Sequence, residues 1–202
     1  MNWKPLFEEL CFRLLGQGAA WPRLLAGVML TFVPILNLFA FGYLYRYTNQ
    51  VRSTGDLELP AWAGWTGLFL DGIRFFIVWL LYWLCPVAIV LILSLILGQV
   101  GLGLVGSLLT AVIALGSTLI FSCALYRLQS RGNFNSLVEV KLIAEMAVAL
   151  FKPLSLPLLA FYGFHVLVFP LYGFSLFLGY LVILSYTVLC LKTMELHKRR
   201  SL

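Results

Sequence analysis

His165 is the ionisable side chain that lies deepest inside an apolar stretch of this sequence, residues 153–191. An imidazole titrates near physiological pH, so a histidine in such a place can carry protons or bind a ligand. No second histidine and no acidic residue shares the stretch, so neither a metal site nor an acid–base pair can be assembled locally. Two interpretations remain, a proton or ligand site and a histidine that only packs.

Asp71 is the one acidic residue at the start of an apolar stretch. Arg74 follows it three residues later, and Arg46 lies at the end of the preceding stretch. Charges at membrane depth are costly and are usually paired. The three residues therefore predict either a structural clamp, in which the arginines hold the carboxylate ionised, or a proton or ion relay that uses the carboxylate.

Other motifs that could carry chemistry are weak. Residues 101–106 match the G-x-G-x-x-G pattern, but a dinucleotide site needs a preceding strand and a following acidic residue. The four cysteines are scattered, without C-x-x-C or metal-ligand spacing, and are interpreted as small buried hydrophobic residues. We therefore expect no catalytic residue, no metal and no cofactor, and we expect that the protein is not an enzyme.

The elements that must position these residues are membrane helices. Residues 24–45, 75–126 and 153–191 contain no Asp, Glu, Lys or Arg, and hydrophobic residues make up 62% of the chain. A span needs roughly 20 apolar residues, so the first stretch is one span long and each of the others is long enough for two. Helix breakers at residues 98–103 and 170–173 mark turns. The sequence predicts an all-α integral membrane protein with four transmembrane helices in two hairpins, at residues 75–97, 103–126, 153–169 and 173–191.

Residues 24–45 form a less regular membrane segment, because Pro34 and Asn37 lie at its middle. A proline removes a backbone hydrogen bond and kinks a helix, and the Asn37 amide is placed to bond the freed carbonyls. Two arrangements follow. Either the segment is a complete first span with the amino terminus outside, or it is a broken, re-entrant hairpin that keeps all basic residues on one side.

Short interfacial helices are predicted outside the spans, within a single membrane domain of residues 1–202. Residues 1–18 carry apolar side chains at helical spacing. Ser136 and Glu139 form a capping box that starts a helix in the segment 127–152, before the chain enters the membrane at residue 153. Pro60 can begin a helix that carries Trp62 and Trp65 as membrane anchors.

Basic residues are confined to segments that two hairpins would return to one face. Eleven of them lie in residues 46–74, 127–152 and 192–202, and none lies in the hairpin turns. The positive-inside rule predicts that this face, with the carboxyl terminus, is cytoplasmic, in a cell inner membrane. The tail at residues 192–202 is expected to contact anionic lipids, and no nucleic-acid partner is expected.

Two weaker patterns concern packing and repetition. Leu-Tyr-Arg occurs at residues 44–46 and 125–127, each time at the end of a span and before a glycine, as a faint internal repeat. Small residues also recur at helical spacing after the hairpin turn at residues 98–103. They predict a face that packs against another helix of the bundle, with self-association of the protein as the lesser alternative. They are Gly103, Ser107, Ala111, Ala114, Thr118 and Ser122.

The most distinctive part of the chain lies between residues 34 and 72. It contains a Pro-x-x-Asn element, a Gly-Tyr-x-x-Arg turn, a Leu-Pro-x-Trp element and a glycine at the start of the next span. In this sequence the motif residues are Pro34, Asn37, Gly42, Tyr43, Arg46, Pro60, Trp62 and Gly72. In these motifs, and over roughly residues 21–192, the sequence resembles the prokaryotic family called domain of unknown function 4013. The resemblance implies a small multi-pass membrane protein and implies no activity.

We expect a membrane component that acts by binding, either of lipid or of a protein partner, which includes a second copy of the chain. The alternative is a small transporter or channel that uses the broken first segment and His165. The candidate residues for a structural or functional role are Pro34, Asn37, Gly42, Tyr43, Arg46, Pro60, Trp62, Trp65, Asp71, Arg74 and His165.

Overall fold

A computed structural model describes residues 7–16 and 20–200 of the chain. The predicted interfacial helix of residues 1–18 therefore lies partly outside the described residues. Eight α-helices follow one another, and no strand occurs in the described part. They are α1 (Phe7–Leu15), α2 (Trp21–Phe32), α3 (Asn37–Thr54), α4 (Trp65–Trp79), α5 (Cys85–Gln99), α6 (Gly103–Arg131), α7 (Val140–Leu167) and α8 (Tyr172–Arg200).

Four helices are long and apolar enough to cross a membrane, which confirms the predicted all-α membrane fold. They are Trp65–Gln99, Gly103–Arg131, Val140–Leu167 and Tyr172–Glu195. The first combines α4 and α5 through a π-helical turn, Leu80–Leu84, in which the Cys85 amide donates to the Leu80 carbonyl. The turn precedes Pro86, which has no amide hydrogen, and a local π-helical adjustment is one way in which a membrane helix accommodates a proline.

The segment of residues 24–45 is broken in the middle. The helix α2 ends at Phe32, Val33 is extended as a residue before proline tends to be, and Ile35 has a left-handed φ of 67°. Because α3 then starts at Asn37 and packs against α2, the segment is a helical hairpin, and a continuous single helix is excluded. The carbonyl of Val33 accepts from the Asn37 backbone amide at 3.0 Å, a role that the sequence had suggested for the side chain.

Two predicted helix starts are wrong. The helix expected from Pro60 begins at Trp65, because residues 55–64 are held extended by bonds to their carbonyls. The helix expected from Ser136 begins at Val140, after a 3-10 turn at Phe134–Leu137. The sequence also predicts that a membrane helix starts at Pro153. This start is wrong as well, because α7 is one helix that continues through Pro153 and Pro157. Proline is tolerated within membrane helices when the surroundings satisfy the freed backbone groups.

Contacts divide the chain into two compact units. Unit 1 comprises residues 1–76 and 153–202, and unit 2 comprises residues 77–152. In unit 2, α5 and α6 form a hairpin in which Gly106 packs closely against Ser94. The predicted small-residue face is buried at Ala114, Thr118 and Ser122, whereas Ser107 and Ala111 are exposed. Near the start of α6 the packing face therefore passes through Gly106. The prediction that Ser107 and Ala111 belong to this face is wrong.

In unit 1, α2 and α3 both pack along α8. A methyl group on Gly27 would overlap the Phe177 ring, so α2 approaches α8 very closely. The Tyr172 hydroxyl donates to the Phe32 carbonyl at 3.3 Å, which places the α2–α3 turn beside the α7–α8 turn. At the other end of α3, Gly55 lies near the Lys192 ammonium. Helix α3 thus runs parallel to α8, from the hairpin turns to the basic end.

Candidate functional site

The helices α3 and α4 cross in backbone contact at two glycines of the distinctive segment. A methyl group on Gly42 would overlap the Leu68 carbonyl oxygen, and one on Gly72 would overlap the Leu38 carbonyl oxygen. The contact is reciprocal, since Leu38 and Gly42, like Leu68 and Gly72, lie one turn apart on their helices. Small residues at such positions allow helices to approach this closely. Gly42 and Gly72 therefore fix how the rest of the site comes together.

An extended loop, residues 55–64, runs back along α3 and is held by α3 side chains. The Tyr43 hydroxyl donates to the Pro60 carbonyl at 2.9 Å, and the Arg46 guanidinium donates to the Ala63 carbonyl at 2.7 Å. Closer to the end of α3, Tyr47 and Gln50 donate to the carbonyls of residues 57 and 58. These bonds satisfy carbonyls of a loop that has no helix or sheet bonds of its own and fix the loop against α3.

Aromatic rings cover this loop. The Trp62 indole stacks on the Tyr43 ring with centroids 4.2 Å apart and donates to the Arg23 carbonyl at 3.0 Å. Arg23 in turn donates to the Leu59 carbonyl, so α2 also holds the loop. Trp62 is thus packed into the protein, whereas Trp65 keeps about half of its surface exposed (53%) and suits the anchor role that the sequence predicts for both.

The charged residues of the segment form one cluster. The Asp71 carboxylate lies 3.6 Å from the Arg46 guanidinium and 3.2 Å from the Arg74 guanidinium. Its side chain is only 19% exposed, while the Arg74 side chain is 51% exposed. The structure therefore brings together the three residues that the sequence proposed as a clamp or relay.

His165 lies apart from this cluster, at the end of α7. Its Nδ1 atom is 2.7 Å from the Ser175 hydroxyl oxygen, and the Ser175 hydroxyl lies 3.0 Å from the Tyr172 carbonyl, to which it can donate. Sequence reasoning looked for an acid or a second histidine and missed Ser175. A usable signal existed, because the two residues lie five positions on either side of Pro170 in a tight helical hairpin. Pro34 and Asn37 are at the α2–α3 turn, also away from the charged cluster.

A groove that the sequence did not reveal lies between α1, the start of α2, α7 and α8 in unit 1. Its volume is about 400 Å³, and its lining is apolar. Burial raises the pKa of the Cys11 thiol at the edge of the groove. This side chain therefore stays a neutral thiol and adds no charge to the lining. The lining side chains include Cys11, Trp21, Phe161, Phe164, Phe174 and Leu178. Among the described residues, no group of three or more His, Cys, Asp and Glu is placed to hold a metal.

Comparison with known protein families identifies a match. The family model described as Protein of unknown function (DUF4013) matches residues 25–178, which include the glycine crossing, the extended loop, the charged cluster and His165. No curated protein and no solved structure matches the chain.

Proposed function

The chain belongs to the family of proteins of unknown function DUF4013, and we propose that it acts in the membrane by binding lipid, one acyl chain of which lies in the groove of unit 1. The groove is the observation that carries the proposal. Its volume of about 400 Å³ lies within the roughly 300–1,000 Å³ range of small-molecule sites. With this function we also propose a cell inner membrane location and a cytoplasmic carboxyl tail.

The shape of the groove favours a single chain over a compact ligand. On α8 its lining runs from Phe174 to Ile183, and nine residues of helix correspond to about 14 Å. On α7, which runs in the opposite direction, the lining extends from Phe164, beside Phe174, back to Pro157. An apolar space of about this length matches part of the hydrocarbon chain of a lipid, and burial of apolar surface provides the driving force.

Helix α1 forms part of the wall of the groove through Phe7 and Cys11. Leu10 and Leu14 are buried, whereas Phe12 and Arg13 on the other side of the helix are exposed. The Phe7 ring packs edge-on against Tyr186 of α8 at 5.5 Å, which joins α1 to the wall of the groove. An amphipathic helix with this distribution suits the membrane interface, where a lipid would enter.

Filling the groove tests the proposal. Ala160 contributes to the lining, so Ala160→Trp is expected to occupy the space that an acyl chain would take. The matched control is Leu159→Trp, because Leu159 is the neighbouring residue, is 57% exposed and does not line the groove. Native mass spectrometry of both variants in mild detergent would compare the retained lipid. Loss in Ala160→Trp alone is expected, and equal retention in the two variants would refute the groove as the lipid site.

A small transporter is the second candidate function, and the break between α2 and α3 favours it. Broken helices surround the substrate sites of many transporters, and here the break at residues 33–36 includes a strained residue, Ile35. The test is solute or proton flux in proteoliposomes, with Ile35→Gly to relax the strained backbone and His165→Ala to remove the imidazole. Flux that neither substitution changes would argue against this mechanism.

A further inference from the structure

The charged cluster of unit 1 carries an excess of positive charge. Two guanidinium groups, of Arg46 and Arg74, share the single carboxylate of Asp71 at 3.6 and 3.2 Å. Asp71 can neutralise only one of them, so the cluster keeps a net charge of about +1 when all three groups are ionised.

The same cluster lies beside an apolar part of α8. Tyr43, one turn before Arg46, approaches the Phe177 ring at 6.1 Å, and Phe75, one turn after Asp71, approaches the Tyr180 ring at 6.3 Å. Tyr180 is twelve residues before Lys192, the first basic residue of the tail, which corresponds to about 18 Å of helix. The cluster is therefore about 18 Å of helix away from the basic end of α8, beside apolar side chains of that helix.

The two arginines differ in the donors that they still offer. Arg46 donates to the Ala63 carbonyl and pairs with Asp71, and its side chain is 32% exposed. For Arg74, which is 51% exposed, Asp71 is the only hydrogen-bond partner within the described part of the chain, and only the Nη1 atom takes part. The Nε and Nη2 atoms of Arg74 remain as a planar pair of donors, the geometry that binds oxyanions in a bidentate way.

We propose that Arg74, supported by Arg46 and Asp71, is a binding site for a phosphate group, supplied either by a phospholipid headgroup or by free phosphate. A phosphate carries the charge that the cluster lacks and can accept both free donors of Arg74. Asp71 acts as a positioning residue, because it fixes the guanidinium through Nη1 and leaves the other edge outward. The site is separate from the acyl-chain groove, which is lined by α1, α2, α7 and α8.

Three probes distinguish the sources of the phosphate. They are phosphatidylglycerol, diacylglycerol with the same acyl chains, and inorganic phosphate, each titrated onto the full-length protein in detergent. Phosphatidylglycerol is expected to bind more tightly than diacylglycerol. Arg74→Gln is expected to weaken the binding of phosphatidylglycerol at least about tenfold, since hydrogen bonds to charged groups are among the stronger ones, and to leave diacylglycerol unchanged.

The matched control is Arg52→Gln. Arg52 is a basic residue on α3 whose guanidinium bonds the Asn49 side chain and not the cluster, so its loss should leave all three affinities unchanged. Arg74→Lys keeps the charge without the planar donor pair and should recover only part of the affinity. Arg74→Lys also replaces Arg74→Gln as the test variant if Arg74→Gln does not fold.

The outcomes are separable. Binding of inorganic phosphate that depends on Arg74 shows a site for the phosphate itself, and Arg74-dependent binding of phosphatidylglycerol alone shows a headgroup site. Equal affinity for phosphatidylglycerol and diacylglycerol together with no Arg74-dependent binding of inorganic phosphate, or equal effects of Arg74→Gln and Arg52→Gln, would overturn the proposal. The groove variant Ala160→Trp should leave the Arg74-dependent part of binding intact, so that failure of the two proposals can be told apart.

Discussion

The loop after α3 in unit 1 and the loop after α6 in unit 2 begin with the same local structure. In each, a Leu-Tyr-Arg sequence precedes a glycine with left-handed backbone that ends the helix, Gly55 with φ 82° and Gly132 with φ 67°. The next residue, Asp56 or Asn133, accepts a hydrogen bond from the amide two residues later, at 3.0 Å in both loops. The faint repeat of the sequence is thus a repeated helix ending.

The spacing inside the two helices differs by one turn. The glycine follows the arginine by nine residues in the first copy, from Arg46 to Gly55, and by five in the second, from Arg127 to Gly132. The difference of four residues is close to the 3.6 residues of a helical turn, so the arginine keeps nearly the same face relative to the helix end. In both copies the arginine pairs with an acid beyond the loop, Asp71 or Glu139.

The loops then diverge in how their backbone is satisfied. Residues 55–64 are extended, and side chains of α2 and α3 donate to five of their carbonyls. The second loop contains a 3-10 turn, Phe134–Leu137, and the Tyr82 hydroxyl donates to its Leu137 carbonyl. The comparison teaches that the same helix ending can lead to a short turn or to a longer loop that is held by side chains of the preceding helices.

The largest expected effect concerns the side of the membrane on which the two loops lie. Single cysteines at Ser53 and Asn133, in a background without the four native cysteines, should both resist an impermeant thiol reagent in intact cells and react after permeabilisation. Both residues are exposed, so protection would reflect the membrane and not burial in the protein. A third cysteine at Ser201 should behave in the same way. Labelling of any one of the three from outside would contradict the topology of two hairpins with a cytoplasmic basic face.

In the first copy, the helices before and after the loop, α3 and α4, cross in backbone contact at Gly42 and Gly72. Gly42→Ala should lower the free energy of unfolding by about 1–3 kcal/mol, because the added methyl group meets the Leu68 backbone. Gly116→Ala in α6 should raise it by about 0.5–1 kcal/mol, since that position is open and alanine favours a helix. Thermal unfolding in detergent measures both. A stable Gly42→Ala variant would mean that the crossing is looser than the structure shows.

The two ion pairs should differ in strength. Asp71→Asn is expected to cost about 1–3 kcal/mol, because it leaves two arginines without a partner carboxylate beside apolar helices. Glu139→Gln should cost at most about 1 kcal/mol, because half of the Glu139 side chain is exposed and water can replace the lost charge. Unfolding of the two variants in detergent provides the comparison.

Reversal of charge adds a control for the clamp. Combining Asp71→Arg with Arg74→Asp should recover part of the stability lost in Asp71→Asn, since it restores an opposite pair at the same distance. If Asp71→Asn is as stable as the original chain, the carboxylate is not a clamp. The relay interpretation would then require Asp71→Asn to abolish a measurable flux.

The smallest losses of stability should come from substitution of Gly55 and Gly132, the glycines that end α3 and α6, and the two losses should be equal. Gly55→Ala and Gly132→Ala are each expected to cost about 1 kcal/mol, because a left-handed backbone strains any residue with a β-carbon. Gly55→Asn and Gly132→Asn should cost less, since asparagine tolerates this conformation. Clearly unequal costs in unfolding experiments would show that the two helix ends are not equivalent.

The sequence by itself determined the membrane fold and its hairpin turns. Long stretches without charge can be stable only in lipid or in a buried bundle, and turn residues interrupt them at residues 98–103 and 170–173, close to the observed turns. It also identified the segment that contains Gly42, Arg46, Trp62, Asp71 and Arg74, because these residue types are unusual beside apolar helices. Pattern and composition are enough for such statements, since both act locally along the chain.

Only the tertiary structure decided where the helices start and which side chains meet. The start at Trp65 in place of Pro60 follows from bonds between the loop carbonyls and residues up to 36 positions away, and Ser175 becomes the partner of His165 through the hairpin turn. The groove has no sequence signal, because its apolar lining comes from four helices and resembles any other apolar surface. Hydrophobicity sets which residues avoid water, but contacts between distant segments decide what they enclose.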